Sequence, residues 1–201
     1  VIVPFAPGAS TDMVARLLGQ KFAEAWGQQF IVDNRGGAGG ALGAETVARA
    51  APDGYTLMVT NPGPSLTNIL LRKKPTYGFG DFATIVYIGS APLIAVAHPK
   101  FPPNDMKELI AYAKAHPGKV SWGSSGTGSN PHAALELLKV VTGANIVHVP
   151  YKGTGPALTD VVGGQIDGLY TTTISASAFI RDGRAKVLGV AGPKRQAVIP
   201  N

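Results

Sequence analysis

Two loops in the 201-residue chain carry residue types that hold an anion without a charged side chain. In "VPFAPGASTD" an apolar strand ends in a Pro/Gly turn and enters a helix capped by Ser10 or Thr11. In "WGSSGTGSNPH" a strand ends in a Gly/Ser/Thr loop and enters a helix with Pro131 in its first turn, a favoured place for proline. Each pattern leaves backbone N–H groups unpaired at the positive end of a helix, on the C-terminal edge of a sheet. Ligands of open α/β sheets sit at that edge. The bland alternative is that the glycines only make turns. One such loop would be weak support for anion binding; two are stronger.

Other chemistry is poorly represented. No phosphate-binding G-x-x-x-x-G-K-[ST] occurs, because "GSSGTGSN" lacks the lysine. "GGAGGALG" approaches the dinucleotide fingerprint, with Gly37 and Gly39 in place, but Leu42 holds its third glycine position. The four histidines, His98, His116, His132 and His148, fall on separate elements, and none has the spacing of a helical metal pair. "GSSG" is not a Gly-x-Ser-x-Gly elbow, and no Ser/His/Asp set follows from position. His132, in the first turn beside the second loop, either touches a ligand or packs between helix and loop, the latter being the plainer role. Asp12 complements the positive helix end, since a carboxylate facing an anion is unfavourable. Glu136 and Asp160 read as helix-surface residues. With no cysteine there is no disulfide, thiolate site or cysteine nucleophile.

Hydrophobic period supplies the elements that must position these loops. Short strands are expected at 1–3, 30–32, 55–59, 85–88 and 93–97. Helices are expected from residue 10 or 11 to 26, at 44–50 and at 66–71. The first helix would use Val14, Leu17, Leu18, Phe22, Ala25 and Trp26 as its apolar face, with Gly27 as its stop. A second alternating unit follows. Its helices are 105–115, 131–141, 157–162 and 175–180; its strands are 120–122, 146–149, 166–170 and 187–190. Repeated βαβ alternation argues for parallel, helix-covered sheets and an α/β class.

Hydrophobic residues make up 45% of the chain, enough for a packed core, so intrinsic disorder is excluded. The net charge of +6 comes from scattered side chains; the run Arg72-Lys73-Lys74 reads as a solvated face and not as a nucleic-acid surface. No stretch reaches the ~18 unbroken apolar residues of a membrane span. Boundaries at Ala97-His98-Pro99 and Ala191-Gly192-Pro193 divide the chain into a first lobe, 1–97, a second lobe, 98–191, and a segment, 192–201, crossing back. The chain opens on "VIVPF" without Met or a basic leader, and its tail is too short to complete the first lobe. It is therefore expected to be truncated, with an uncovered apolar surface on residues 1–97.

The blocks "VPFAPGASTDMVARLL", "VDNRGGAGGALGAETVARAAPDGYTL", "SSGTGSNPHAALELL", "VPYKGTGPALTDVVGGQID" and "FIRDGRAKVLGVAGPKR" resemble, in order and spacing, the substrate-binding proteins of tripartite tricarboxylate transporters, the Bug receptors. The resemblance covers essentially the whole chain. It implies a two-lobed α/β fold of the periplasmic-binding-protein kind, with a hinge and an interlobe cleft. It further implies a monomeric periplasmic receptor, made with a signal peptide, that closes on a small organic acid and delivers it to integral membrane permease subunits. No cofactor, metal or nucleic acid is implied. By position, the carboxylate would lie between residues 5–12 (Phe5, Gly8, Ala9, Ser10 and Thr11) and residues 124–132 (Ser124, Ser125, Gly126, Thr127, Gly128, Ser129 and His132). The distal end would meet Tyr151, Lys152, Thr171 and Thr172. Three departures from the family pattern are Ala9 for a second glycine, Gly36 for proline, and Thr171-Thr172 for an Asp/Asn pair. The last leaves a neutral, hydroxyl-lined distal end.

Two rivals have different demands. A ligand-sensing domain of a regulator would need a DNA-binding helix pair upstream. An α/β enzyme acting on a phosphorylated or acyl substrate would need a nucleophile and base, and the sequence offers no such pair.

Overall fold

The computed structural model describes residues 1–192. Strand β1 (Ile2–Val3) pairs in parallel with β2 (Asp33–Asn34), and Ile2 also bridges to Met58. Thus the strand expected at 30–32 forms just beyond it, at 33–34, and that expected at 55–59 contributes one bridge. Residues 85–88 form no strand and are exposed. Their β-branched and aromatic side chains suit a pleated sheet, but propensity acts only with a pairing neighbour.

Helix α1 (Ser10–Trp26) starts one residue earlier than a Ser10 cap requires and two earlier than a Thr11 cap requires. Ala9 takes the cap position with extended backbone and no side-chain cap bond. Gly27, left-handed at φ 66°, stops the helix with its N–H 2.9 Å from Ala23 O. The buried stripe is Thr11, Asp12, Ala15 and Gly19, not the large apolar face; Leu17 and Trp26 are 59% and 63% exposed. Small side chains let α1 lie close to its neighbours, and Phe22, Trp26 and Phe30 cluster at its end. The rest of this region comprises a tight turn at Ala38–Gly40, α2 (Ala41–Ala48), a wide turn at Gly63–Thr67 and α3 (Asn68–Leu71). A small core of Ala41, Ala44 and Tyr77 holds it.

The second region is a five-stranded sheet. β3 (Leu93–Ala97), β4 (Val120–Ser124), β5 (Ile146–Pro150), β6 (Gly168–Thr172) and β7 (Lys186–Ala191) lie in the order β5-β4-β6-β3-β7. β5, β4 and β6 are parallel, but β3 is antiparallel to both β6 and β7, so the expected all-parallel sheet is replaced by a mixed one. Period two divides β3 between two cores. Ala95 and Ala97 join Leu109, Trp122, Leu135 and Ile146 on one face; Ile94 and Val96 join Ala157, Leu158, Val161 and Leu169 on the other. Helices α4 (Met106–Ala115) and α5 (Asn130–Thr142) supply the first core, and α6 (Thr154–Val162) and α7 (Thr173–Arg181) the second. Asp105 and Ser129 cap α4 and α5 through the N–H groups of Glu108 and His132.

Leu93 belongs to this sheet, opposite Thr172 and Ala191, so β3 is built into the same sheet as β4 to β7. His98 follows the far end of β3, where its N–H binds Asp167 O at 2.9 Å. The chain enters the sheet at the end carrying the Gly-rich loops, which is why β3 must run against β4, β5 and β6. Segment 193–201 of the expected crossing lies outside the described residues.

Candidate functional site

Asp12 organises the first loop. Its carboxylate accepts the Gly8 N–H at 3.0 Å, Asn34 Nδ2 at 3.0 Å and the Arg16 guanidinium at 3.0–3.2 Å. Burial works to raise this carboxyl, but the hydrogen bonds from Arg16, Gly8 and Asn34 outweigh it and hold the pKa below the ordinary value. Asp12 is therefore a buried anchor, more than a helix-end charge. Asn34 also donates to Phe5 O, so β2 fixes where the loop leaves β1. Thr11 Oγ1 is buried without a hydrogen-bond partner in the protein.

The second loop is shaped by two histidines brought together by the fold. The rings of His132 on α5 and His148 on β5 lie 4.3 Å apart, although sequence placed them on unrelated elements. His132 Nδ1 accepts the Gly128 N–H at 3.2 Å, which assigns the acceptor nitrogen. Ser124 Oγ accepts the Gly126 N–H at 3.0 Å and lies 2.6 Å from His148 Nε2. Burial, then His132, pushes the His148 pKa down to about 4, so its ring is neutral at neutral pH. The Ser124–His148 pair is not a nucleophile and base in waiting: Ser124 is 0% exposed, beneath the turn it caps. Two loop amides counted on for an anion, those of Gly126 and Gly128, are thus already bound by side chains.

The segment 36–40, passed over as a failed nucleotide motif, fits between the two loops. A Cβ on Gly36 would stand 2.5 Å from Lys152 O and 3.0 Å from Ala6 N; one on Gly39 would collide with Thr127 O and Ser129 N. Ala38, at φ 49°, is the only non-glycine with positive φ among the described residues. An L-residue pays about 1–2 kcal/mol there, so surrounding contacts must impose it. Ala38, Gly126, Thr127, Pro150, Tyr151, Lys152 and Pro156 line a cavity of about 450 Å³.

The expected site residues divide into three groups. Gly126, Thr127, Tyr151 and Lys152 share the cavity. Phe5, Gly8, Ala9, Ser10 and Thr11 do not line it, though their loop touches the turn after β5: Ala6 N–H donates to Lys152 O at 3.0 Å, and a Cβ on Gly8 would lie 3.9 Å from Gly155. The first loop therefore faces the turn after β5, with segment 36–40 between it and the second loop. Ser124, Ser129 and His132 serve the loop's own hydrogen bonds, and Thr172 Oγ1 caps α7 through the Ser175 N–H. Thr171, on β6, is buried with an unpartnered hydroxyl, and neither threonine lines the cavity. Ser125 is buried beside Gly126. Gly128 abuts Asn68, whose Oδ1 would be 2.5 Å from an added Cβ, so bulk there would strike the first region before any ligand. Tyr151 presents its ring, since its hydroxyl donates to Asp160 Oδ2 at 2.5 Å; burial and this acceptor push its pKa up to about 12. Sequence reasoning missed Ala38, Pro150 and Pro156, though a run of five residues with four glycines, 36–40, was the available signal.

A mixed sheet whose strand-end loops meet a smaller glycine-rich unit around a cavity defines a two-lobed binding-protein fold. The family described as "Tripartite tricarboxylate transporter family receptor" matches residues 14–201, and the chain belongs to it. Protein BugT of Bordetella pertussis is 36% identical over 202 residues, covering 100% of this chain and 62% of that protein. The chain thus spans about 62% of that relative's length. The structure of periplasmic binding protein BugD aligns at 38% identity and TM-score 0.91, over 96% of this chain and 65% of that one. MatC from Rhodopseudomonas palustris with bound malate aligns at 36% identity and TM-score 0.91, over 96% and 67%. The family is one of receptors, not of enzymes. Among the described residues, no helix is long and apolar enough to cross a membrane.

Proposed function

We propose that this protein is a periplasmic receptor that closes on a small carboxylate-bearing acid and presents it to integral membrane permease subunits. The observation that carries the reading is the cavity between Ala38 of the first region and Gly126, Thr127, Tyr151 and Lys152 of the second, in a relative of a malate-bound protein. Lys152 is the one cation among the lining residues. The lobes we assign are 1–92 and 93–191, with the crossings side by side, because Leu93 pairs with Ala191 and Gly192 meets Pro92.

A thermal-shift screen of the full-length protein against mono-, di- and tricarboxylates and aromatic acids tests this, since a ligand of the native state raises the melting point. One class of acid should shift it and neutral analogues should not. No shift with any acid would overturn the reading. Lys152→Ala should weaken the identified acid modestly, with the loss shrinking as salt screens the charge.

A further inference from the structure

Arg72 opens the basic run that reads in sequence as a solvated face, yet its partly exposed guanidinium is hydrogen-bonded to the first region. Nη2 donates to Ala38 O at 3.0 Å and Nε to Asn68 Oδ1 at 3.1 Å. Asn68, 1% exposed, donates Nδ2 to Gly39 O at 2.9 Å. Two successive carbonyls of the left-handed turn are thus held by two side chains, that of Asn68 at the start of α3 and that of Arg72 just past its end. The turn needs this hold, because Ala38 has a Cβ where only glycine is at ease. Ala38 lines the cavity, whereas neither Asn68 nor Arg72 does. The other side of Asn68 lies against Gly128, so the same amide joins the turn to the loop of the opposite region.

We propose that Asn68 and Arg72 are positioning residues of the acid site, holding the Ala38 turn as a cavity wall without touching the ligand. This rests on the receptor reading above. It differs from a direct role for Arg72 as the cation that binds the acid, which the basic run would suggest.

The test uses the full-length protein, titrated calorimetrically with the tightest binder among malate and related di- and tricarboxylates. Arg72→Met should weaken that acid about tenfold, the scale of losing hydrogen bonds from a charged donor. Arg72→Lys, able to serve one of the two acceptors, should lose less. Ala38→Gly in the Arg72→Met background should restore most of the affinity, because glycine needs no clamp to stay left-handed. A loss that Ala38→Gly leaves unrepaired, and that shrinks with salt, would overturn the proposal in favour of direct contact.

Amide exchange across 37–41 in the ligand-free protein needs no acid. It should accelerate in Arg72→Met while β3 to β7 stay protected, and unchanged exchange at 37–41 would overturn the positioning role. Faster exchange together with no acid bound by the wild type would refute the receptor reading and uphold the clamp.

Discussion

Between Leu93 and Ala191 the chain fully buries Leu109, Trp122, Leu135, Ile146 and Leu169 on two faces of one sheet. Between Val1 and Pro92, by contrast, Ile31, Tyr55, Leu70, Leu71 and the apolar residues of 85–88 stand exposed, and the sheet has two short strands. The second region holds itself together by area removed from water, at roughly 1.5–3 kcal/mol for each large side chain. The first adds to a smaller apolar core, with Val3, Phe5 and Tyr77 buried, specific polar contacts at Asp12, Asn34, Asn68 and Arg72 and glycines that let it lie against the second. Regions with few buried apolar contacts open most cheaply, so the first region is expected to open before the second.

The largest expected effect separates the two cores. Leu169→Ala should cost about 2–5 kcal/mol in chemical denaturation, whereas Ile85→Ala should stay within about 0.5 kcal/mol. Comparable losses would dissolve the contrast. Next comes the contact between the regions. Gly39→Ala forces a side chain at φ 65° into Thr127 O and Ser129 N. It should cost about 1–3 kcal/mol, seen as faster amide exchange in residues 36–44 and weaker acid binding. Lost protection in β3 to β7 would mean that the second region is not self-sufficient.

Acid should loosen the two loops in order. His148, with a folded pKa of about 4 against about 6.5 unfolded, is charged only in the unfolded chain between those values. Unfolding then takes up a proton, so stability falls as pH drops from about 6.5 to about 4. Asp12 has its carboxyl lowered by folding, so its contribution is complete above the ordinary carboxylate range and fades as pH falls through the depressed folded value. Melting temperature against pH should show the His148 slope first, and His148→Gln should flatten it while leaving the more acidic limb. The smallest effect belongs to Tyr151→Phe. Its hydroxyl serves Asp160, so stability should drop by about 0.5–1.5 kcal/mol with acid affinity unchanged by titration calorimetry. A large loss of affinity would instead put that hydroxyl on the ligand.

Legibility followed the same division. In the second region, β3 to β7 and α4 to α7 form within a few residues of the spans given by periodicity, caps and Pro/Gly breaks. Ser129 before Pro131 and Asp105 three residues before Glu108 are local devices that need no distant partner. In the first region, α1 buries its small residues, because a helix packed against loops gains more from close approach than from bulk. Residues 85–88 look like a strand and are not one, because pairing is a property of two segments. Around the cavity, Gly126 and Thr127 are legible from the Gly-rich loop after β4 and Tyr151 and Lys152 only through the family resemblance, while segment 36–40 reads as a near-miss nucleotide motif.

Sequence by itself determined the α/β class, the Gly-rich turns that end β1 and β4, and the family, because these rest on local backbone preference and on order along the chain. Tertiary structure alone decided that β3 runs antiparallel, that His132 meets His148, and that Arg72 binds Ala38 O. Each of these joins residues far apart in sequence, and no local preference encodes which distant group arrives to satisfy a buried donor, carbonyl or strained turn.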